Sequence, residues 1–564
     1  MLDQFKVVTD PIGHSVAASA IFAVLPLLAL FLLLGVLRIR AWLAGIISLA
    51  VALIVAVAVY AMPVGEGLLA ASEGAAFGFF PILWIVLNGI WVYNLTVASG
   101  HFDVLRRSFE RVSPDMRIQA IIIAFCFGAL LEALAGFGTP VAITVVMLMA
   151  LGFRPIHAAS LALIANTAPV AFGALATPIV TLATVTHGAN SDPRLTVDTL
   201  GAMVGRQTPI LAIVVPLILV AVVDGRRGVR QAWPAALVCG VAFGAAQYAA
   251  SNFISVQLAD IVASLVSAGA VVALVRVWRP AESPDLHADA SLDPRAETDE
   301  PAGSGGGTGT AVAVQARPVE VARAYAPYVI IIAIFAVANI GPVKAALAKK
   351  PWTTSFHWPG LHIVNAAGKP LAATTFAFGW LPAAGTLMVI AGILTAVVLR
   401  IAPARALAVY GKTYVDLRHA IVTVMAVLGL AYVMNLSGQT NTLGAFLAGA
   451  GGVFVLLSPI LGWIGVAVTG SDTSANALFG ALQVQTAAAA GLDPVLLAAA
   501  NSSGGVLGKM ISPQNLAIAA SAVGMAGREG DIFRKVIGWS VVLLLFMCVI
   551  VALQATPVLG WMIP

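Results

Sequence analysis

Apolar runs of about 20 residues recur along nearly the whole chain, each long enough to cross a hydrocarbon core of roughly 30 Å. Short basic connections separate them. The first run, residues 16–37, is followed rather than preceded by Arg38 and Arg40, so it reads as a full span and not as a cleavable signal peptide. Those two arginines put the first turn on the cytoplasmic side and the amino terminus outside. Runs at 42–62 and 75–95 continue the zigzag, and Arg106, Arg107, Arg111 and Arg117 mark the next cytoplasmic loop. The pattern then changes. Residues 118–134 are apolar, 135–140 (Ala-Gly-Phe-Gly-Thr-Pro) interrupt, and 141–151 are apolar again. A re-entrant hairpin, entering and leaving on the cytoplasmic side, fits these lengths and glycines better than two short crossings. Non-helical backbone at such depth needs protein or a water-filled cavity around it.

One long span, 155–185, is interrupted at Asn166-Thr-Ala-Pro169 and Thr177-Pro178. Spans at 209–223, 233–250 and 257–274 bring the chain back inside at Arg276 and Arg279. Residues 280–322 are rich in Pro, Asp, Glu, Ser and Gly and are predicted to be a disordered, acidic cytoplasmic linker. The second half repeats the plan: spans at 325–340, 375–398 and 420–434, a Gly-rich stretch at 444–457, two arms at 460–468 and 475–490 around Thr469 to Ser474, a broken span at 494–521, and a last span to 553. With the linker inside, this half begins from the opposite side to the first, so the halves are inverted. Gly152-Phe-Arg-Pro155 and Gly491-Leu-Asp-Pro494 mark the same hairpin exit in each. The predicted fold is an all-α polytopic membrane protein of about 12 full spans plus two re-entrant hairpins. Residues 1–223 form the first inverted repeat, 224–279 two connecting spans, 280–322 the linker and 323–564 the second repeat.

Composition agrees with the pattern. Of 564 residues 60% are hydrophobic and only 10% charged, with a mean hydropathy of +0.98, whereas soluble chains carry about 25% charged residues. The net charge of +5 therefore describes loops, not a nucleic-acid footprint. Cys126, Cys239 and Cys548 fall in apolar segments without metal-type spacing and read as buried thiols. There is no P-loop, dinucleotide fingerprint, zinc spacing or Ser-His-Asp arrangement. An enzyme, a cofactor, a resident metal and an ATP-driven pump are all disfavoured, which leaves an ion gradient as the energy source.

A sparse polar pattern occurs once in each half. Asn166-Thr167 is followed by Gly173 and Thr177-Pro178, and Asn501-Ser502 by Gly508 and Ser512-Pro513. Such helix-breaking motifs point to a transporter site at a repeat interface. Backbone N–H groups freed at the start of a second half-helix, with the helix dipole behind them, suit an anion. Two independent proline kinks are the alternative, and the matching spacing argues against it. Gly136, Gly138, Pro140, Pro169, Gly173, Pro178, Gly508 and Pro513 are the candidate hairpin and helix-break residues. Glu132 and Asp472 lie near the two hairpin tips, where desolvation favours the neutral form of a carboxyl group, so both are candidate proton carriers. Lys509 can pair with either, or with a substrate carboxylate; a purely structural ion pair is the alternative. His101, His157, His187 and His419 fall at span ends and read as interfacial.

The chain resembles the lactate permease family of bacteria, which includes the L-lactate and glycolate permeases. The resemblance is carried by Leu131-Glu132-Ala-Leu-Ala-Gly136-Phe-Gly138-Thr-Pro140, Ala165-Asn166-Thr-Ala-Pro169-Val-Ala-Phe-Gly173, Thr469-Gly-Ser-Asp472-Thr-Ser-Ala-Asn476 and Gly508-Lys509-Met-Ile-Ser512-Pro513-Gln-Asn515. It extends over nearly all of the chain apart from the acidic linker. It implies a symporter of the bacterial cytoplasmic membrane that imports L-lactate, D-lactate and glycolate with protons. A wider group of carriers with similar hairpins and broken helices implies an elevator-like motion and the option of a homodimer. Some of those couple to sodium through tips close to Asn166-Thr167 and Asn501-Ser502, so the coupling ion stays open on this route. The expected partners are a small carboxylate, protons and the bilayer, with no nucleic acid. On this expectation the carboxylate sits between Asn166-Thr167 and Asn501 with Lys509 near. The 2-hydroxyl meets Thr139, Thr473, Ser502 or Ser503, and Glu132 or Asp472 carries the proton.

Overall fold

Eleven apolar helical stretches long enough to cross a membrane run through the computed structural model, which describes residues 5–110, 112–136, 138–190, 192–280, 317–364 and 370–564. One of them, Val197–Ile254, holds two crossings. Its helix folds back at Asp224 (φ −140°) and Gly225 (φ +56°), so that Gly240 lies on Ile213 and Gly244 on the carbonyl of Pro209. Arg117, fully buried, fixes this bend: its guanidinium donates to Asp115 at 2.7 Å, Asp224 at 3.0 Å and Gln231 at 2.9 Å.

Both hairpins form. The first ascends through Met116–Gln119, a π-helical stretch Ala120–Phe127 and Gly128–Ala135, then returns as Thr139–Ala150. Gly138, at φ +86°, makes the turn. The second ascends as Phe454–Thr469, turns at Gly470 (φ +75°) and returns as Asp472–Ala490, with the Ser471 hydroxyl accepting from the Ser474 N–H at 3.3 Å. The tips converge on one element. A Cβ on Gly138 would meet Ile518, one on Gly470 would meet Gln514, and the Asn515 amide donates to the Gly470 carbonyl at 3.4 Å.

The two broken spans differ from each other. In the first half the helix Pro155–Ala165 ends at Asn166. A 3-10 turn at Val170–Phe172 follows, then Ala174, Leu175 and Ala176 run left-handed at φ 44°, 55° and 58° before the chain continues helically to His187. In the second half Pro494–Gly508 is one continuous helix, and the break comes later, as a 3-10 turn at Lys509–Ile511 before Pro513–Ala522. The expectation that Asn501 sits at a helix break is therefore corrected: it lies mid-helix, with its backbone hydrogen-bonded. Proline explains the difference. Pro169 removes a helical donor three residues after Asn166 and disfavours helical backbone at Ala168, and the corresponding place after Asn501 is Gly504. The glycines there serve packing instead. A Cβ on Gly504 would lie 2.2 Å from the Pro459 carbonyl oxygen and one on Gly508 2.3 Å from that of Trp463. Gly508 is thus a contact glycine of two closely packed helices, as small residues are in membranes, and not the break itself.

Among the described residues, four strands lie where the charge pattern puts the outside: β1 (Phe5–Lys6), β2 (Thr353–His357), β3 (Ile363–Val364) and β4 (Thr375–Gly379). β1 pairs parallel with β3, and β2 antiparallel with β4. The expected span at 375–398 is corrected accordingly, because its first part is β4 and only Ala384–Val398 is helical. Thr375-Phe-Ala-Phe-Gly379 alternates with period two, and Pro382 separates it from the helix. The 420–434 span is the inner part of a longer helix, Pro403–Ser437. The helix Pro318–Ala338 starts ahead of the expected boundary at 323, and the rest of the linker, 281–316, lies outside the described residues.

Candidate functional site

Between the hairpin tips and the two breaks lies a cleft of about 30 Å³. Glu132, Gly136, Val170, Gly173, Ala174 and Pro178 line it from the first half, and Gly470, Ser471, Asp472, Thr473 and Lys509 from the second. That space holds about two waters, less than an organic acid of six heavy atoms needs. The walls must part for such a ligand to enter.

Glu132 stands in the last turn before the first tip, 3% exposed. Its Oε1 accepts from Lys509 Nζ at 2.6 Å and its Oε2 from the Asn166 amide at 2.9 Å. Lys509 is itself 6% exposed, so this is a buried ion pair spanning the two halves. Glycine makes the room: a Cβ on Gly173 would lie 2.7 Å from Glu132 Oε1. Asp472 opens the return arm of the second hairpin. Its Oδ2 accepts from the Ser502 hydroxyl at 2.6 Å and more distantly from Asn476 at 3.4 Å. Here too a bare Cα gives space, since a Cβ on Gly505 would meet Asp472 Oδ1 at 2.4 Å. The Asn476 amide also donates to the carbonyl of Pro178 at 3.1 Å. Each hairpin tip thus contacts the broken span of the other half.

Of the other candidates, Thr473 lines the cleft, and Ser502 sits behind Asp472. Asn501 lies one layer back, donating to Asn476 Oδ1 at 2.9 Å and accepting from Gln483 at 3.1 Å. Ser503 faces elsewhere, donating to Gln207 at 2.6 Å. The Thr167 hydroxyl is spent on the Ile164 carbonyl at 2.7 Å, and Thr139, half-buried at the first tip, is not among the lining residues. Pro140 and Pro513 occupy the first turns of their helices, where a missing N–H costs nothing.

Among the described residues, two buried acceptor atoms here have no donor: Asn166 Oδ1 and Asp472 Oδ1. The site therefore combines one cation, two carboxyl groups and unfilled acceptor capacity. An ammonium already held by Glu132 can take another carboxylate only if Glu132 lets go, and uncovering either charge in a buried pair is costly. Sequence reasoning gave Asn476 no role, although it ends one of the resemblance motifs, and missed Gln483, which carries no signal within an alanine-rich helix. It also missed two buried acids inside apolar spans, Glu73 and Asp260, although an ionisable residue at membrane depth is itself a signal. Cys126 and Cys239, remote in sequence, meet with their sulfurs 3.5 Å apart.

The description L-lactate permease matches residues 19–558 of this chain. An L-lactate permease of Bacillus subtilis (strain 168) is 41% identical over 100% of both chains. The glycolate permease GlcA of Escherichia coli (strain K12) is 40% identical over 98% of each. A crystal structure of the Alcanivorax borkumensis YdaH transporter aligns over 85% of this chain and 86% of that one at 16% identity, with a TM-score of 0.48, too loose a likeness to carry a topology across.

Proposed function

The chain belongs to the L-lactate permease family and is a multi-pass membrane protein, and from that premise we propose that it is a transporter rather than an enzyme, importing 2-hydroxymonocarboxylates (L-lactate, D-lactate and glycolate) with protons across the bacterial cytoplasmic membrane. The observation that carries this proposal is the buried Glu132–Lys509 pair at 2.6 Å, in a cleft that also holds Asp472. Lys509 serves one carboxylate at a time. Protonating Glu132 removes its claim on the ammonium and lets the substrate carboxylate take its place, so substrate and proton enter together. Asn166 Oδ1 and Asp472 Oδ1 stand ready to accept from the substrate's 2-hydroxyl. Binding is weak by necessity, since six heavy atoms give at most about −9 kcal/mol at the ceiling of roughly −1.5 per atom.

Labelled L-lactate uptake into proteoliposomes under an imposed pH gradient tests this. Accumulation above the external level is expected with acid outside, unchanged when choline replaces sodium. The same two unfilled acceptors favour a second reading, in which sodium is the coupling ion; uptake driven by a sodium gradient alone would establish it.

A further inference from the structure

Asp260 is a fully buried acid that the cleft does not use. It lies in the first turn of the helix Ala259–Val277, immediately after the turn that joins two spans on the outer side of the membrane. That side follows from Arg226, Arg227 and Arg230 at the other end of the preceding crossing and Arg276 and Arg279 at the other end of this one. Asp260 Oδ1 accepts from the Gln247 amide at 2.9 Å, and the same amide nitrogen reaches the carbonyl of Ala168, inside the first break, at 3.5 Å. Gln247 Oε1 in turn accepts from Thr208 at 3.1 Å. Asp260 Oδ2 is buried with no hydrogen-bond partner among the described residues. The carboxyl group is thus tied on one oxygen to the unwound segment and open on the other.

On the outer side, one helical turn before Asp260, Gln257 lines a cavity of about 440 Å³ together with Asp198, Asn339 and Lys344. Asp260 lies behind that wall, three residues on from Gln257 in the chain. On the inner side, the charged groups acting on Asp260 are Glu132 and Lys509, while Gln247 and Thr208 packed against it are neutral. Lys509 is bonded to Glu132, which leaves Asp260 without a cation in hydrogen-bond reach among the described residues, and a buried acid in that position is cheapest when it holds a proton. The start of its helix steadies the carboxylate when that proton leaves.

We propose that Asp260 is the outer-side proton acceptor of this transporter, taking a proton from external water through the outer cavity and passing it to Glu132. External hydronium gives its proton to Asp260 Oδ2 and leaves as water. Asp260 then loses that proton to the Glu132 carboxylate and becomes anionic again, and neutral Glu132 releases Lys509 to the substrate. This role presumes the proton symport proposed above.

The test uses the full chain in proteoliposomes, with labelled L-lactate and acid outside. Asp260→Asn keeps the shape and the acceptor for Gln247 but has no titratable proton to pass on. It should lower pH-driven accumulation about tenfold while leaving lactate counterflow within about twofold of wild type. Asp260→Glu should restore accumulation with a displaced pH midpoint. Normal accumulation by Asp260→Asn, with the wild-type pH profile, would overturn the proposal. If Asp260→Asn fails to elute as a single folded species, Asp260→Glu decides alone, and an unmoved midpoint counts against. A wild-type protein that ignores the pH gradient would instead sink the proton symport itself, and this relay with it.

Discussion

At the scale of single residues the ion pair dominates. Lys509→Ala leaves Glu132 buried without its cation and should lower stability by about 3–5 kcal/mol. Glu132→Ala with Lys509→Ala should recover most of that loss, because neither charge is then stranded. Thermal unfolding of the purified variants in one detergent checks both, and a double variant no better than Lys509→Ala would show that the pair is not a unit. Glu132→Gln should abolish accumulation and spare counterflow. The glycines give a second handle. Gly505→Ala drives a methyl to 2.4 Å from Asp472 Oδ1 and should reduce initial uptake rates at least about tenfold with little change in yield, whereas Gly65, with open space around its Cα, should tolerate alanine. Glu132, Asp472 and Lys509 were legible in the sequence because ionisable residues beside helix-breaking motifs are rare in apolar chains. The contacts of Asn476, the place of Gln483 and the meeting of Cys126 with Cys239 were not, since they follow from which helices pack together, and neither periodicity nor spacing encodes that.

Among the elements, the two broken spans show what a motif specifies and what it leaves to context. Both begin their second half-helix at the motif's hydroxyl–proline step. Ser512 caps one, accepting from the Asn515 N–H, while the Thr177 hydroxyl donates back to Ala174 at 2.5 Å in the other. Where the first half-helix ends depends instead on Pro169, which the second motif lacks, so the shared asparagine predicted a shared conformation that does not exist. The hairpin turns, marked by glycines that must take positive φ, were legible to within a residue or two. The strand β4 was not, because residues 375–398 satisfy a hydropathy window whether or not their start is helical. The left-handed run offers a test. Each non-glycine residue there costs about 1–2 kcal/mol, so Ala176→Gly should raise stability by about 1 kcal/mol, and Ala176→Val should lower it by at least as much. Thermal unfolding measures both; destabilisation by glycine would mean that the left-handed geometry is not strained.

For the molecule as a whole, whether the two halves are inverted decides whether one cleft can be served from both. An outer contact already bears on it. Arg194, in the loop after the first broken span, donates to Asp192 at 2.8 Å and to Asp493 at 2.9 Å, the residue that caps the second one. The Arg194 hydrogen bond holds the Asp192 carboxyl below its ordinary value. A carboxyl with a depressed folded pKa contributes stability above its ordinary range, near pH 4, and loses it as pH falls through the folded value. This contact is therefore intact throughout pH 5–8, and the pH dependence of transport in that window should survive Arg194→Ala, as uptake measured across it would show. If Asp493 faces outward with that loop, the second hairpin opens outward, whereas the first, leaving at Arg154, opens inward. Single cysteines resolve the point, since Cys126, Cys239 and Cys548 are buried and should react slowly. Ala489→Cys, exposed beside the second exit, should label with an impermeant maleimide added to intact cells, and Arg154→Cys only in inside-out vesicles. Labelling of both from one side would place the hairpins in parallel. The contacts of Glu132 with Lys509 and of Asn476 with Pro178 could then no longer be two views of one symmetric crossing, and the cleft would have a single mouth.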